Sequence, residues 1–445
     1  MVIFIMMWYN YIIKIFRKGE TVMSDIITYK IADNINFYYL KDCKYKTSSV
    51  CISLKTPLKR ETATKNSLIA KVLKRGTAEY NSIDVINPYL EKLYGARYDV
   101  FTAKRANIQF LSSAVSTLSD CYAGEKVFEK ALKLALDFLY APYLVNGTFK
   151  AEYVCGEKQN LKDDIESEIN DKRSYAVMRC KDIMCEGSIN AVHNKGYTED
   201  LDGIDENNLY SHYINLVKTS AVDIFAVGDI DFDGVCEMLK DYFKKLDISP
   251  VNIAIKTERK YASEVKNVTE EMDVNQGKLA MGFTTEILGN DDDYYAFLVG
   301  NSIYGSGAHS KLFNNVREKM SLCYYVYSKA DKLASLMIVG AGIEFESFDK
   351  AKSEILNQLN DVKNGNFTDE EMGISKKFLI NIFKSYNDNQ YILRDFYYTG
   401  MLCGNLLTIP QVIERINSVT REQINAAFKK INLNTVYFLK GKENK

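Results

Sequence analysis

The chain carries four short echoes of itself, all in one order and at a nearly constant offset. Phe128-Glu-Lys-Ala131 returns 220 residues later as Phe348-Asp-Lys-Ala351, and Asn146-Gly-Thr-Phe149 returns 218 residues later as Asn364-Gly-Asn-Phe367. Upstream, Glu91-Lys-Leu93 is answered by Glu318-Lys-Met320, and Val100-Phe-Thr102 by Val326-Tyr-Ser328. Each match alone is weak. Together they constrain the chain to two halves built on one plan.

The plan can be read from local patterning. An alternating apolar segment (Val50–Lys55; Lys278–Thr285) predicts a half-buried strand. A helix follows (64–75; 291–304), then another ending near Tyr94 or Met320. Two alternating runs come next, Tyr98–Ala103 with Asn107–Val115 and Tyr324–Ala330 with Ala334–Gly342, and predict antiparallel strands. A helix with apolar spacing (125–140; 346–362) closes on Asn-Gly, a stop signal, and Phe149 or Phe367 opens a longer charged helix. Hairpin strands interspersed with helices predict an α+β fold: two duplicated halves, each a mainly antiparallel sheet covered by helices on one face. The expected domains are 23–246 and 266–445. Residues 247–265 are expected to link them, because Asp247-Ile-Ser-Pro250 stops a helix and polar residues follow.

Composition narrows the function classes. At 445 residues, 47% of them hydrophobic, the chain has ample material for two cores. A net charge of −1 supplies no basic field for nucleic acid. Nine scattered cysteines without a C-x-x-C pair suggest reduced thiols and a cytoplasmic location. The three histidines, His193, His212 and His309, are too far apart in sequence to share a helix face, so a histidine-rich metal site is not expected. Residues 1–22 begin with an apolar run followed by Lys14, Arg17 and Lys18, the reverse of a secretory signal, and the run is short for a bilayer span. They are expected to be a mis-called start or leader, with translation beginning at Met23, and a membrane partner is not expected.

The segment Ser67-Leu-Ile-Ala-Lys-Val-Leu-Lys-Arg-Gly-Thr77 resembles the zinc helix of the pitrilysin/insulinase family, the inverzincins, whose H-x-x-E-H closes on a Gly-Thr pair. Two further blocks carry the resemblance. Ala221–Asp231 ends in Val-Gly-Asp-Ile-Asp, and Gly305-Ser-Gly-Ala-His-Ser-Lys-Leu-Phe-Asn-Asn-Val-Arg-Glu-Lys319 is close to the family's glycine turn and following helix. The resemblance spans essentially residues 24–440. It implies that the two halves face each other around a chamber for unfolded peptide.

Anchored on Gly76-Thr77, the family's two ligand histidines fall at Ser67 and Lys71, and its catalytic glutamate at Ala70. Residues at i, i+3 and i+4 share a helix face, but here that face offers a hydroxyl, a methyl and an ammonium. Lys71 brings positive charge and no lone pair. The resemblance places the outer carboxylate at Glu157 and the third ligand position at Asp164, where the arm is one methylene short. It also implies that Arg317 and Tyr324 are the arginine–tyrosine pair that reaches from the second half toward a zinc site, with Tyr325 one residue away as the alternative register. An arginine fork can hold a peptide carbonyl or carboxylate, and a phenol can donate to a developing oxyanion.

The implied protein is a non-catalytic peptidase homologue. It holds no cofactor of its own, acts as a heterodimer with a zinc-bearing paralogue on unfolded peptides, and supplies chamber wall and the Arg317–Tyr324 contact. Two rival readings are a peptide-binding scaffold without a proteolytic partner, and a stand-alone hydrolase with unorthodox ligands around Glu157 and Asp164.

Overall fold

A computed structural model describes residues 20–23 and 26–442. Most of the segment read as a mis-called start, residues 1–19, lies outside the described residues. Glu20–Met23 form strand β1, which pairs antiparallel with β2 (Ile26–Ala32).

The chain divides into two compact units. One takes the residues up to Lys104 with Ile108–Leu161 and Asn194–Ala254; the other takes Arg105–Asn107, Lys162–His193 and the described residues from Ile255 onward. Helix Lys172–Met184 therefore belongs to the second unit, although its sequence position falls inside 23–246.

The sheet of the first unit adds β3 (Ile35–Lys41), β4 (Thr47–Pro57), β5 (Arg97–Arg105), β6 (Ile108–Leu118) and β9 (Ala221–Gly228), in the order β1-β2-β3-β9-β4-β6-β5. It is mixed, because β3 and β9 run parallel while β4 is antiparallel to both β6 and β9. β9 is buried at every residue, as the apolar run Ala-Val-Asp-Ile-Phe-Ala-Val requires of a central strand. Its one charge, Asp223, pairs at 2.6 Å with Lys55 of β4, and both side chains are almost fully buried. Helix Val127–Tyr140 packs its apolar stripe on β6 and β4. The short strands β7 (Leu144–Val145) and β8 (Thr148–Phe149) pair across Asn146-Gly147, whose φ angles of 53° and 80° suit a tight hairpin. Here Asn-Gly turns a hairpin instead of stopping the preceding helix, which ends earlier at Tyr140. In the second unit, Asn364 does cap helix Phe348–Lys363, and Gly365 follows at φ 78°.

The second sheet contains β10 (Lys266–Met272), β11 (Gly277–Thr284), β12 (Cys323–Asp331), β13 (Leu336–Ile343) and β14 (Asn432–Gly441), in the order β10-β14-β11-β13-β12. It too contains one parallel pair, β10 with β14, beside antiparallel neighbours. Leu279, Met281 and Phe283 of β11 enter a core with helices Tyr294–Tyr304, Phe348–Lys363 and Arg421–Lys429. Ala280 faces the other way, into a second cluster with Ala176, Cys180 and Met184 of helix Lys172–Met184. This sheet is therefore covered on both faces, where the sequence reading expected one. Unbroken burial of β13, Leu-Met-Ile-Val-Gly-Ala-Gly-Ile, is the consequence.

Candidate functional site

The helix face on which the resemblance puts the zinc-ligand positions is built into the protein's own polar core. Helix Arg60–Leu73 holds Ser67, Ala70 and Lys71; the first two are buried and Lys71 is half-buried. Ser67 Oγ donates to the Asn194 carbonyl at 2.7 Å and lies 3.0 Å from Thr102 Oγ1. The Asn194 amide donates to the Thr102 carbonyl, and Gln109 Nε2 donates to the Asn194 carbonyl at 2.8 Å. Asn66 Nδ2 donates to Gln109 Oε1, and His212 Nε2 lies 2.7 Å from Asn66 Oδ1. That geometry makes His212 a donor to the asparagine oxygen. Burial pushes its pKa down to about 4, so the ring is neutral at neutral pH.

A loop seals this face. Arg60 and Thr64, two turns and one turn before Ser67, bond Asp200, and the Arg60 guanidinium sits 3.6 Å from the Tyr197 ring centre. A Cβ on Gly196 would lie 2.4 Å from the Thr64 Cα, so only glycine lets the loop approach so closely. The donor set therefore does not fit zinc. One candidate ligand is a hydroxyl already bonded on both sides, one position has no heteroatom, and the third is a cation.

Glu157, on helix Ala151–Glu166, is buried and is tied to the residues that follow helix Arg60–Leu73: Arg75 Nη1 reaches Glu157 Oε1 at 3.5 Å, and Asn160 donates to Oε2 at 3.0 Å. Asp164, two turns along the same helix, is exposed. Among the described residues, no group of three or more His, Cys, Asp or Glu side chains is placed to share a metal ion.

In the second unit, Leu312–Lys319 is wound as a π-helix, with Met320 N bonding Asn315 O at 3.1 Å. The wide winding is uncommon and recurs at functional sites. Arg317 lies on it, with its guanidinium 4.6 Å from the Phe313 ring centre and its Nε 3.5 Å from Glu318. Tyr324 sits where the pairing of β12 with β13 slips between Cys323 and Tyr325, a bulge that turns it outward to 60% exposure. Its phenol donates to Glu344, which raises the phenol's pKa. Tyr325 is committed elsewhere: it stacks with Tyr327, and the Arg173 guanidinium lies 4.3 Å from its ring centre. Between the two registers, Tyr324 is the tyrosine that faces solvent.

The remaining histidines are structural. His309 Nε2 lies 3.1 Å from Ser302 Oγ with its ring against Phe378, and His193 Nε2 lies 3.1 Å from Asp182. Thr102, Gln109, Asn194 and His212, which close the network around Ser67, and Glu344, which holds Tyr324, were not singled out from sequence. No local pattern marks them, because their partners lie 20 to 146 residues away.

This arrangement agrees with the relatives. The chain is 33% identical over 411 residues to "Probable inactive metalloprotease YmfF" of Bacillus subtilis, covering 91% of this chain and 96% of that one. The chain belongs to the M16 peptidase family. The "Peptidase M16 inactive domain" description matches residues 203–379. A more distant relative, "Uncharacterized zinc protease YmxG" of the same organism, is 21% identical over 329 residues, 70% of this chain and 75% of its own. The crystal structure of a conserved protein from Enterococcus faecalis superposes with a TM-score of 0.88 at 28% identity, covering 95% of this chain and all of the other. A peptidase M16 inactive domain from Pseudomonas fluorescens shares the fold, with a TM-score of 0.77 at 16% identity over 95% of this chain and 99% of that one. Among the described residues of this M16 homologue, no helix is long and apolar enough to cross a membrane.

Proposed function

We propose that this M16 homologue is a non-catalytic partner subunit for a zinc-bearing paralogue in peptide processing. In this reading the metal and the general base belong to the partner. This chain supplies chamber wall and a contact to the substrate through Arg317 and Tyr324, and holds no zinc itself. The two units, 23–246 and 266–445 in the domain reading, are taken as duplicated halves facing each other around the chamber. The matching strand orders β3-β9-β4-β6-β5 and β10-β14-β11-β13-β12, each with one parallel pair at the same place, support the duplication.

The observation that carries the reading is an asymmetry. The face of helix Arg60–Leu73 is sealed by its own hydrogen-bond network, whereas Tyr324 is turned outward by a bulge and bonded to a carboxylate. A phenol so placed can donate to a peptide oxygen, and Arg317 on the π-helix can grip a carbonyl or carboxylate. Ser67, Ala70 and Lys71 then do no chemistry, and Glu157 and Asp164 are remnants of the ligand helix.

Co-expression with a zinc-bearing paralogue, followed by size-exclusion chromatography and cleavage of an unfolded peptide, tests the proposal. The complex should cleave and this chain alone should not. Peptide binding by this chain without complex formation would favour the scaffold reading instead.

A further inference from the structure

A pocket in the second unit presents an ammonium, that of Lys332, that makes no direct ion pair with the described residues. It is walled by Tyr294, Tyr295, Phe396 and Leu407, with Cys403 and Lys332 completing it. Lys332 Nζ has no hydrogen bond or ion pair among the described residues, and neither phenol of Tyr294 and Tyr295 has a hydrogen-bond partner there.

The nearby acids are already engaged. Asp331 pairs with Lys181 at 2.6 Å and accepts from Leu333 N. Asp395 pairs with Arg105, whose Nε also donates to Thr399 Oγ1 at 3.2 Å. Lys332 thus faces Asp331, Asp395, Arg105 and the Cys403 thiol, and both carboxylates are bonded directly to another cation, Lys181 or Arg105, not to Lys332. Burial holds its pKa below the usual lysine value.

The pocket is also held in shape. The lysine stem crosses Gly289, where a Cβ would meet Lys332 Cδ at 3.0 Å. Asn405 Nδ2 donates to the Gly289 carbonyl, and Arg259 clamps the same loop through both oxygens of Asp291.

We propose that this pocket binds a small monocarboxylate with a short aliphatic body. The carboxylate would complete the Lys332 ion pair, the phenols offer further donors, and the rings and Leu407 receive the apolar end. A single cation suits a monoanion better than a phosphate dianion.

Isothermal titration of the full chain with sodium isobutyrate, isobutyramide and inorganic phosphate tests this. Saturable isobutyrate binding is expected, with a Kd on the order of millimolar for so small a ligand. The neutral amide should bind at least about tenfold more weakly, since it lacks the charge-assisted bond. Lys332→Met should abolish binding. If that variant fails to fold, Gly289→Ala, which displaces the lysine stem, should weaken isobutyrate binding in its place. Amide binding equal to isobutyrate, preferential phosphate binding, unchanged affinity in a folded Lys332→Met or Gly289→Ala protein, or no saturation in wild type would each overturn the proposal.

Discussion

The Tyr324 phenol donates to the Glu344 carboxylate at the open end of the β12–β13 hairpin, beside a bulge that turns the ring toward solvent. The carboxylate stabilises the protonated phenol and holds its pKa above the ordinary value of 10.0. Glu344→Gln should bring the Tyr324 titration down toward that value. NMR of ring-labelled tyrosine, assigned with Tyr324→Phe, reads the shift. An unmoved titration would mean that the bond does not persist in solution.

Ser67 is a structural residue here. Ser67→His would force a ring into the space between helix Arg60–Leu73 and Asn194, and would break two part-buried hydrogen bonds. A loss of roughly 1–3 kcal/mol in denaturant unfolding is expected, and dialysed wild-type protein should retain no stoichiometric zinc. Zinc near one per chain by elemental analysis would refute the reading of Ser67, Ala70 and Lys71.

His212 makes stability depend on pH in a defined window. The unfolded chain protonates this histidine near 6.5, whereas the native ring resists until about 4. Between those values the unfolded state binds more protons, so stability from this group falls as pH drops from 6.5 to 4 and levels off below. His212→Gln, which keeps a donor for Asn66, should flatten that part of the curve in urea melts at stepped pH.

The Lys55–Asp223 pair crosses the centre of the first sheet with Tyr38 and Asn36 near the carboxylate. Asp223→Ala leaves a lysine buried without its counter-charge and should destabilise the protein by about 3–5 kcal/mol. Replacing both residues with apolar ones of similar volume should restore most of that loss. Equal destabilisation in single and double variants would show that the charge is not the cause.

Elements whose causes are local were legible in the sequence. Alternation placed β5, β6, β12 and β13 to within about three residues at each end, and apolar spacing placed helices Val127–Tyr140 and Phe348–Lys363. Long-range causes were not legible. β3 meets β9 in parallel across more than 180 residues of sequence, and the cover of helix Lys172–Met184 on β11 brings together residues such as Ala176 and Ala280, 104 residues apart. At the site, the residue types of Ser67, Ala70 and Lys71, none of them a zinc donor of the usual kind, could be read from the sequence. The network that occupies Ser67 could not, because Asn194 and His212 have no pattern of their own. The π-winding under Arg317 was hidden as well, since its apolar spacing also suits an α-helix.

The central claim is that this chain contributes to cleavage without holding the metal, and the Arg317→Ala and Tyr324→Phe variants in complex with the zinc-bearing paralogue test it most directly. Both variants should assemble normally, because Arg317 and Tyr324 are partly or largely exposed and, among the described residues, Arg317 touches Glu318 and Phe313 while Tyr324 bonds Glu344. Turnover of an unfolded peptide, at matched complex concentration, should fall by about 10²–10³-fold for loss of one preorganised donor. Wild-type turnover from either complex would contradict the account and leave this chain as a scaffold.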